Sequence, residues 1–243
     1  MCGEGVSLRI TSRADLGKRS VREKNDGFFF LNPGEMRGHF QQLVQALADK
    51  KVPFKIISLF KEQEEKVLRR AAEIPFVIGK EEIPFLMGIP ANCLSFRRQA
   101  EIFNIVLSKS FLFYNRVPSV IAGKFLREPG IPSKPYFLFG IENGRKNLGR
   151  SWETETRELE QRERHGLSVE ELFALYIQNR VLATHSVLAC PEKTASYMYT
   201  PELEMVPRLI LAENVGPKLE FRAIGASFPD CGTPSCRFRE CFL

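Results

Sequence analysis

The sequence lacks the segments that would direct or anchor a protein to a membrane. It contains no run of about eighteen apolar residues, the length of a transmembrane helix. The stretch MCGEGVSLRITSRADLGKRS, at residues 1–20, has no apolar core of the kind found in a secretory signal. We therefore expect a cytoplasmic protein that does not insert into a membrane. We also expect its six cysteines to be reduced thiols rather than disulfides.

Several motifs of enzyme chemistry are also missing. The chain has three histidines, and neither a G-x-S-x-G nor an H-E-x-x-H motif occurs. The two glycine motifs of nucleotide binding, G-x-x-x-x-G-K with a following Ser or Thr and G-x-G-x-x-G, are absent as well. The sequence therefore predicts no cofactor and leaves open whether the protein is an enzyme.

The cysteines near residue 240 offer an alternative to the prediction of no metal. Cys231, Cys236 and Cys241 are spaced C-x4-C-x4-C. Structural zinc usually takes closely spaced cysteine pairs, with a second pair or histidines some distance away. Cys190 or His185 could supply a fourth ligand, or the two could form a thiol–imidazole pair, but the spacing specifies neither. We predict free thiols, with a zinc site as the alternative.

The composition indicates a globular fold. Of the 243 residues, 44% are hydrophobic and 26% are charged. Twenty phenylalanines stand against one tryptophan, which indicates a core of aromatic rings. Residues 1–27 are polar and are predicted to be a flexible leader. Residues 28–243 are predicted to form a single α+β domain with a charged excursion near 151–166.

Helix signals are clearest at two capping boxes. Asn32 precedes Pro33 and Glu35, which predicts a helix from there to about residue 50. Ser168 and Glu171 form the same motif at the start of a second helix, which contains many apolar residues. Apolar residues at helical spacing predict two more helices, over 61–73 and 96–110.

Strand signals begin with the near-repeat EIPFVIGKEEIPFLMGIP at residues 73–90. Each copy starts at a proline, continues through apolar residues and ends at glycine, and KPYFLFGIENG at 134–144 is a third version. Further strands are predicted in SVLACP, VPRLILAE and KLEFRAIGAS. Because these strands cluster late in the chain, we expect a mostly antiparallel or mixed sheet flanked by helices.

The stretch SWETETRELEQRERHG predicts a solvated helix that ends at Gly166. Leu159 is its one aliphatic residue, and three acid–base pairs are spaced four apart with the acid first. These pairs are Glu153–Arg157, Glu158–Arg162 and Glu160–Arg164.

Positive charge is concentrated in the middle of the chain. The formal net charge is +6, and seven basic against two acidic residues lie between Cys93 and Phe137. Phe111, Phe113 and Tyr114 are interleaved with them, a pattern typical of single-stranded nucleic-acid binding. A turn at 140–150 adds three glycines and more cations. The predicted anion-binding residues are Arg97, Arg98, Arg116, Lys124, Arg127, Arg145 and Arg150.

Three stretches resemble a bacterial family of uncharacterised proteins, a domain of unknown function. They are YFLFGIENG, GLSVEELFAL and VPRLILAENVGPKLEFRAIGASFPDCGTPSC, and the resemblance covers roughly residues 70–235. It implies a bacterial cytoplasmic domain and no particular activity. The chain has Phe221 where that family tends to place tryptophan.

Two functional hypotheses follow from these observations. The first is a binding or interaction module whose basic face meets an anionic partner, RNA or DNA foremost. The alternative is an enzyme of unknown reaction, with a pocket formed by the turn from Glu142 to Arg150 and by the C-terminal cysteines. The oligomeric state is left open.

Overall fold

The computed structural model of the protein describes residues 28–29, 32–77, 82–108, 131–179, 181–189, 197–200, 203–223 and 229–243. The predicted leader, residues 1–27, lies outside this part of the chain. So do three of the predicted anion-binding residues, Arg116, Lys124 and Arg127. The predicted convergence of the central cations and aromatic rings therefore stays a prediction.

The helices and strands follow one another without a regular βαβ alternation. The α-helices of the described residues are α1 (Pro33–Asp49), α2 (Phe54–Lys61), α3 (Glu64–Ala72), α4 (Phe96–Ile102), α5 (Trp152–Gln161) and α6 (Val169–Asn179). The strands are β1 (Phe28–Phe29), β2 (Phe76–Val77), β3 (Glu82–Gly88), β4 (Val106–Leu107), β5 (Tyr136–Glu142), β6 (His165–Gly166), β7 (Ser186–Leu188), β8 (Tyr197–Thr200), β9 (Leu203–Ala212), β10 (Gly216–Ala223), β11 (Cys231–Gly232), β12 (Ser235–Cys236) and β13 (Phe238–Glu240).

Two larger sheets carry the fold. In the first, β3 pairs antiparallel with one side of β5, while β12 and β13 pair antiparallel with its other side and β6 lies beyond β12. In the second, the order is β11-β7-β9-β10-β4, with β8 also beside β9. Its β7–β9 and β9–β10 pairs are antiparallel, whereas β11–β7 and β10–β4 are parallel. The predicted α+β class with antiparallel and mixed sheets is confirmed. The described strands divide between these two sheets, except β1 and β2, which pair with each other.

Helix α1 begins where the capping box predicts. The Glu35 amide donates to the Asn32 side chain at 2.9 Å, and the Asn32 amide donates to the Glu35 carboxylate at 3.3 Å. The helix buries Met36, Phe40 and Leu43 on one face, as the apolar spacing predicts.

The chain departs from the predicted helices at two places. An unpredicted helix, α2, precedes the segment predicted as one helix over 61–73, and it buries Phe60. The sequence does not predict this helix because a short apolar run such as FKIISLF fits a helix and a strand equally well. The helix predicted over 96–110 is wrong beyond residue 103, because Asn104 takes a left-handed conformation with φ of 57° and β4 follows.

The core is aromatic, as the phenylalanine content predicts. Phe40, Phe60, Phe85, Phe137 and Phe139 are all buried. The ring centroids of Phe60 and Phe137 lie 5.4 Å apart, and those of Phe85 and Phe137 lie 6.1 Å apart, both in edge-to-face arrangements. Among the described helices, none is long and apolar enough to cross a membrane.

A buried ion pair joins α6 to the first sheet. Arg239 on β13 donates to both oxygens of Glu171, at 2.6 and 2.8 Å, and Tyr136 on β5 donates its hydroxyl to the same carboxylate at 2.9 Å. The Glu171 and Arg239 side chains are 0% and 5% exposed. Burial alone would raise the pKa of Glu171, but the Arg239 charge and the hydrogen bonds hold it below its ordinary value.

The same glutamate completes the predicted capping box. The Ser168 amide donates to Glu171 at 2.8 Å, and the Glu171 amide donates to the Ser168 hydroxyl at 3.3 Å. One carboxylate therefore caps a helix and fixes that helix to two strands. The sequence motif predicts only the first of these roles.

Removing the Arg239 charge should be severely destabilising. We expect Arg239→Met to lower the free energy of unfolding by about 3–5 kcal/mol, because it leaves the buried negative charge of Glu171 without a positive partner. In the matched control Arg37→Met, the guanidinium is 51% exposed and pairs with Glu64 and Glu65, so the loss should stay within about 1 kcal/mol. Urea unfolding followed by circular dichroism measures both losses, and equal losses would contradict the assignment.

Glu170 should make the protein less stable as the pH rises through the weakly acidic range. Burial, with repulsion from Glu171, raises the pKa of Glu170 from 4.5 to about 7. Because its folded-state pKa is the higher one, its stabilising contribution is complete below about pH 4.5 and is lost as the pH rises to about 7. We expect Glu170→Gln to remove this loss, which cannot exceed about 1.4 kcal/mol per pH unit.

Urea unfolding of both proteins between pH 4.5 and 7.5 measures the difference. The opposite contribution of His39, whose burial lowers its pKa, is common to the two proteins and cancels in the comparison. Parallel pH profiles would show that Glu170 does not titrate in this range.

Candidate functional site

The candidate site is built on the turn that follows β5. After Glu142 the chain turns at Asn143 and Gly144, forms a short 3-10 helix at Arg145–Asn147, and enters α5 through the Ser151 N-cap. Gly144 has a φ of 86°, a conformation that favours glycine. The turn thus places a run of polar and basic side chains at the end of the central strand of the first sheet.

Asn147 fixes this turn to the segment between β11 and β12. Its amide nitrogen donates to the Thr233 carbonyl at 2.9 Å, and its oxygen accepts from the Thr233 amide at 2.9 Å. The same amide nitrogen donates to Glu155, a buried carboxylate on α5. Burial raises the pKa of Glu155, and its hydrogen bond from Asn147 and the charge of Arg150 oppose that shift.

Two glycines allow the turn and the C-terminal segment to meet backbone to backbone. A Cβ atom on Gly232 would lie 2.1 Å from the Gly144 carbonyl oxygen, and a Cβ atom on Gly144 would lie 2.9 Å from the Gly232 carbonyl carbon. Neither position therefore has room for a side chain. Nearby, the Gly149 amide donates to the Cys231 carbonyl at 3.1 Å.

His185 contacts the backbone of the turn through its ring. Its Nε2 lies 2.8 Å from the Asn143 carbonyl oxygen, and its Nδ1 lies 2.8 Å from the Thr184 hydroxyl. The ring is buried and occupied by these contacts, which indicates a supporting role for this histidine. Cys190, its predicted thiol partner, lies outside the described residues.

An open cleft of about 540 Å³ lies beside the turn. Four cations and three carboxylates line it, so the lining is mixed in charge with a small positive excess. The lining residues are Glu82, Glu142, Asn143, Gly144, Arg145, Lys146, Asn147, Arg150, Glu158 and Arg162.

Two of the cations are held in place by carboxylates. Arg162 donates to both oxygens of Glu142, at 2.6 and 2.7 Å. Arg150 donates to Glu158 and, at 3.3 Å, to Glu155. The spacing on α5 predicts a Glu158–Arg162 pair, and in the structure each of these residues instead binds a partner from the β5 turn.

Arg145 and Lys146 are exposed residues of the 3-10 helix. They extend from the turn into the same cleft. Strand register also places the carboxylates: Glu82, on β3, is the direct partner of Glu142 across the first sheet. The cleft therefore combines exposed cations, preoriented guanidinium groups and two facing carboxylates.

The structure brings together some of the predicted anion-binding residues and separates others. Arg145 and Arg150 both line the cleft. Arg97 and Arg98 lie on α4, where they pair with Glu101 at 3.5 and 3.0 Å and do not contribute to the cleft.

Sequence reasoning missed several residues of the site, among them Glu82, Glu155 and Arg162. Glu82 reaches the cleft through the pairing of β3 with β5, and no local pattern reports that pairing. Glu155 and Arg162 were predicted to lie on a solvated helix surface, yet Glu155 is 1% exposed and Arg162 holds Glu142. Helix α5 also ends before the predicted Gly166, because Glu163 has a φ of 51° and β6 begins at His165.

The three C-terminal cysteines do not lie together as a metal-binding group. Cys231 and Cys236 are buried, Cys241 is half-buried, and no group of three or more metal-ligating side chains occurs within the described ranges. Burial raises the pKa of the Cys231 thiol to about 12, so this thiol is not ionised at neutral pH. Cys231 supports the site through its backbone carbonyl.

Comparison of the chain with protein-family models, with curated proteins and with solved structures finds no match. The resemblance to a bacterial family described above therefore stays a prediction.

The contact between Gly144 and Gly232 predicts a specific sensitivity to a single methyl group. We expect Gly232→Ala to cost about 1–3 kcal/mol of unfolding free energy, because the new Cβ must displace the backbone of the turn. The matched control is Gly38→Ala within α1, where nothing lies within 4 Å of the new Cβ. That variant should gain about 0.5–1 kcal/mol. Thermal unfolding of both proteins tests the contrast, and an unchanged melting temperature for Gly232→Ala would contradict it.

Proposed function

We propose that the protein binds a small anionic ligand, one that carries a phosphate or carboxylate group, in the cleft beside the β5 turn. The observation that supports this most directly is the convergence of Arg145, Lys146, Arg150 and Arg162 on one cavity of about 540 Å³. A volume of this size suits a metabolite-sized ligand.

The geometry of the guanidinium groups favours anion binding. Glu142 holds Arg162 through two hydrogen bonds, and Glu158 holds Arg150. A guanidinium already fixed in this way loses little rotamer freedom when it binds an anion, and its fork of N–H donors matches phosphate and carboxylate oxygens. Arg145 and Lys146, both exposed, add further positive charge to the same cleft.

A small anion fits the cleft better than a nucleic-acid strand does. Glu82, Glu142 and Glu158 are part of the lining, so a chain of phosphates crossing the cleft would meet carboxylates as well as cations. Binding of a strand requires a continuous basic path with rings on which bases stack. Arg97 and Arg98, on α4, lie outside the cleft and are paired with Glu101.

The alternative hypothesis, an enzyme with its pocket at the same turn, places its chemistry in the same cleft. That hypothesis also assigns the C-terminal cysteines to the pocket wall. Cys231 contributes a carbonyl to the turn, and its thiol, with a pKa raised to about 12, is a poor nucleophile at neutral pH. The arrangement thus supports ligand binding better than nucleophilic catalysis by this cysteine.

Titration calorimetry with pyrophosphate and with citrate tests the proposal and separates phosphate from carboxylate recognition. We expect the double variant Arg145→Ala, Lys146→Ala to weaken binding at least about tenfold, because two charged donors are lost. The control Arg97→Ala, Arg98→Ala removes the same charge from α4 and should leave the affinity unchanged. The proposal fails if the wild-type protein binds neither anion, or if the two double variants weaken binding equally.

A further inference from the structure

A second compartment adjoins the cleft. It has a volume of about 340 Å³ and is lined by Glu82, Ile83, Asn143, Arg145, Asn179, Val181 and Thr184. Glu82, Asn143 and Arg145 line both cavities. The two spaces are therefore neighbours, and one ligand can contact both.

The second compartment differs in chemistry from the first. Among the described residues of its lining, Arg145 is the one cation. The other polar side chains apart from Glu82 are neutral amides and a hydroxyl, from Asn143, Asn179 and Thr184. Ile83 and Val181 add small apolar surfaces. No aromatic ring belongs to the described lining of either cavity, so neither offers a base a ring to stack on. This lining suits an uncharged group rich in hydroxyls.

Glu82 lies at the junction and has an unused acceptor. Its side chain is 2% exposed, and Arg237 approaches one carboxylate oxygen, Oε2, at 3.4 Å. The other oxygen, Oε1, is buried and has no hydrogen-bond partner among the described residues. A buried carboxylate oxygen is normally hydrogen-bonded, so one left unpaired in a residue that lines a cavity points to a donor that the described residues do not supply.

We infer that the ligand is an anionic polyol, a sugar phosphate or a sugar acid. Its anionic group binds the cations of the cleft, and its hydroxyl groups occupy the second compartment, where one of them donates a hydrogen bond to Oε1 of Glu82. Exposed side chains such as Arg145 and Asn179 form part of that wall, and their rotamers change readily on binding to admit the hydroxyl. This inference rests on the proposed function.

Matched pairs of probes test the inference by titration calorimetry. Glucose 6-phosphate is compared with methyl phosphate, and gluconate with acetate, so that each pair differs in its hydroxyl-bearing part. We expect at least one polyol to bind at least tenfold more tightly than its simple partner. Comparing the affinities of the phosphate pair with those of the carboxylate pair shows which anionic group the cleft prefers.

Two variants show which residues give the polyol its higher affinity over the simple anion. Glu82→Gln should reduce the preference for the polyol about tenfold. The affinity for methyl phosphate or acetate should not fall, because the variant removes a negative charge from the cleft lining, and retained binding of these anions also shows that the variant is folded. Asn179→Ala changes an exposed residue of the second compartment and should weaken the polyol alone.

The failures of the two proposals are distinguishable. If the simple anions bind and neither polyol binds more tightly, this inference is overturned and the anion-binding function stands. If pyrophosphate, citrate and all four probes fail to bind, both are overturned. Equal loss of polyol and simple anion in Glu82→Gln would also overturn the inference, because Glu82 would then act on the anionic group or on the fold.

Discussion

The fold depends on one buried carboxylate. Glu171 accepts hydrogen bonds from the amide of Ser168, the hydroxyl of Tyr136 and the guanidinium of Arg239, so a helix start, a central strand and a late strand are fixed at the same point. A charge this deep is stable only when it is fully paired, so the three elements must come together in a single arrangement. Arg239 also donates to the Gly166 carbonyl, which ties β6 to the same point.

The candidate site depends indirectly on that arrangement. With β5 held between β3 and the late strands, the register places Glu82 opposite Glu142, at the end of the sheet where the chain turns. The turn can then pack against the Gly232 backbone, and α5 can bring Arg162 to Glu142. Two of the four cations that line the cleft, Arg150 and Arg162, are thus held in place by carboxylates.

The sequence predicts most local structure and part of the site. Capping boxes mark the starts of α1 and α6, and the apolar runs mark β5, β9 and β10, because these signals arise from neighbouring residues. The glycine turn draws attention to Arg145 and Arg150, and both residues line the cleft. Glu82 could not be predicted, since it reaches the cleft through the pairing of β3 with β5 and its side-chain partner, Arg237, lies 155 residues away. Glu155 looks like a solvated helix residue because its partner, Asn147, lies in a turn whose conformation is set by distant backbone.

The hydrogen bond between Asn147 and Thr233 joins residues 86 positions apart, and this separation has a consequence for folding during translation. During translation, the β5 turn leaves the exit tunnel long before the segment that braces it has been made. The cleft can assemble only after residues up to about Arg239 have emerged, because the opposing backbone at Gly232 and the guanidinium that anchors α6 both arrive late. The nascent chain therefore cannot form the cleft until nearly all of these residues have been synthesised.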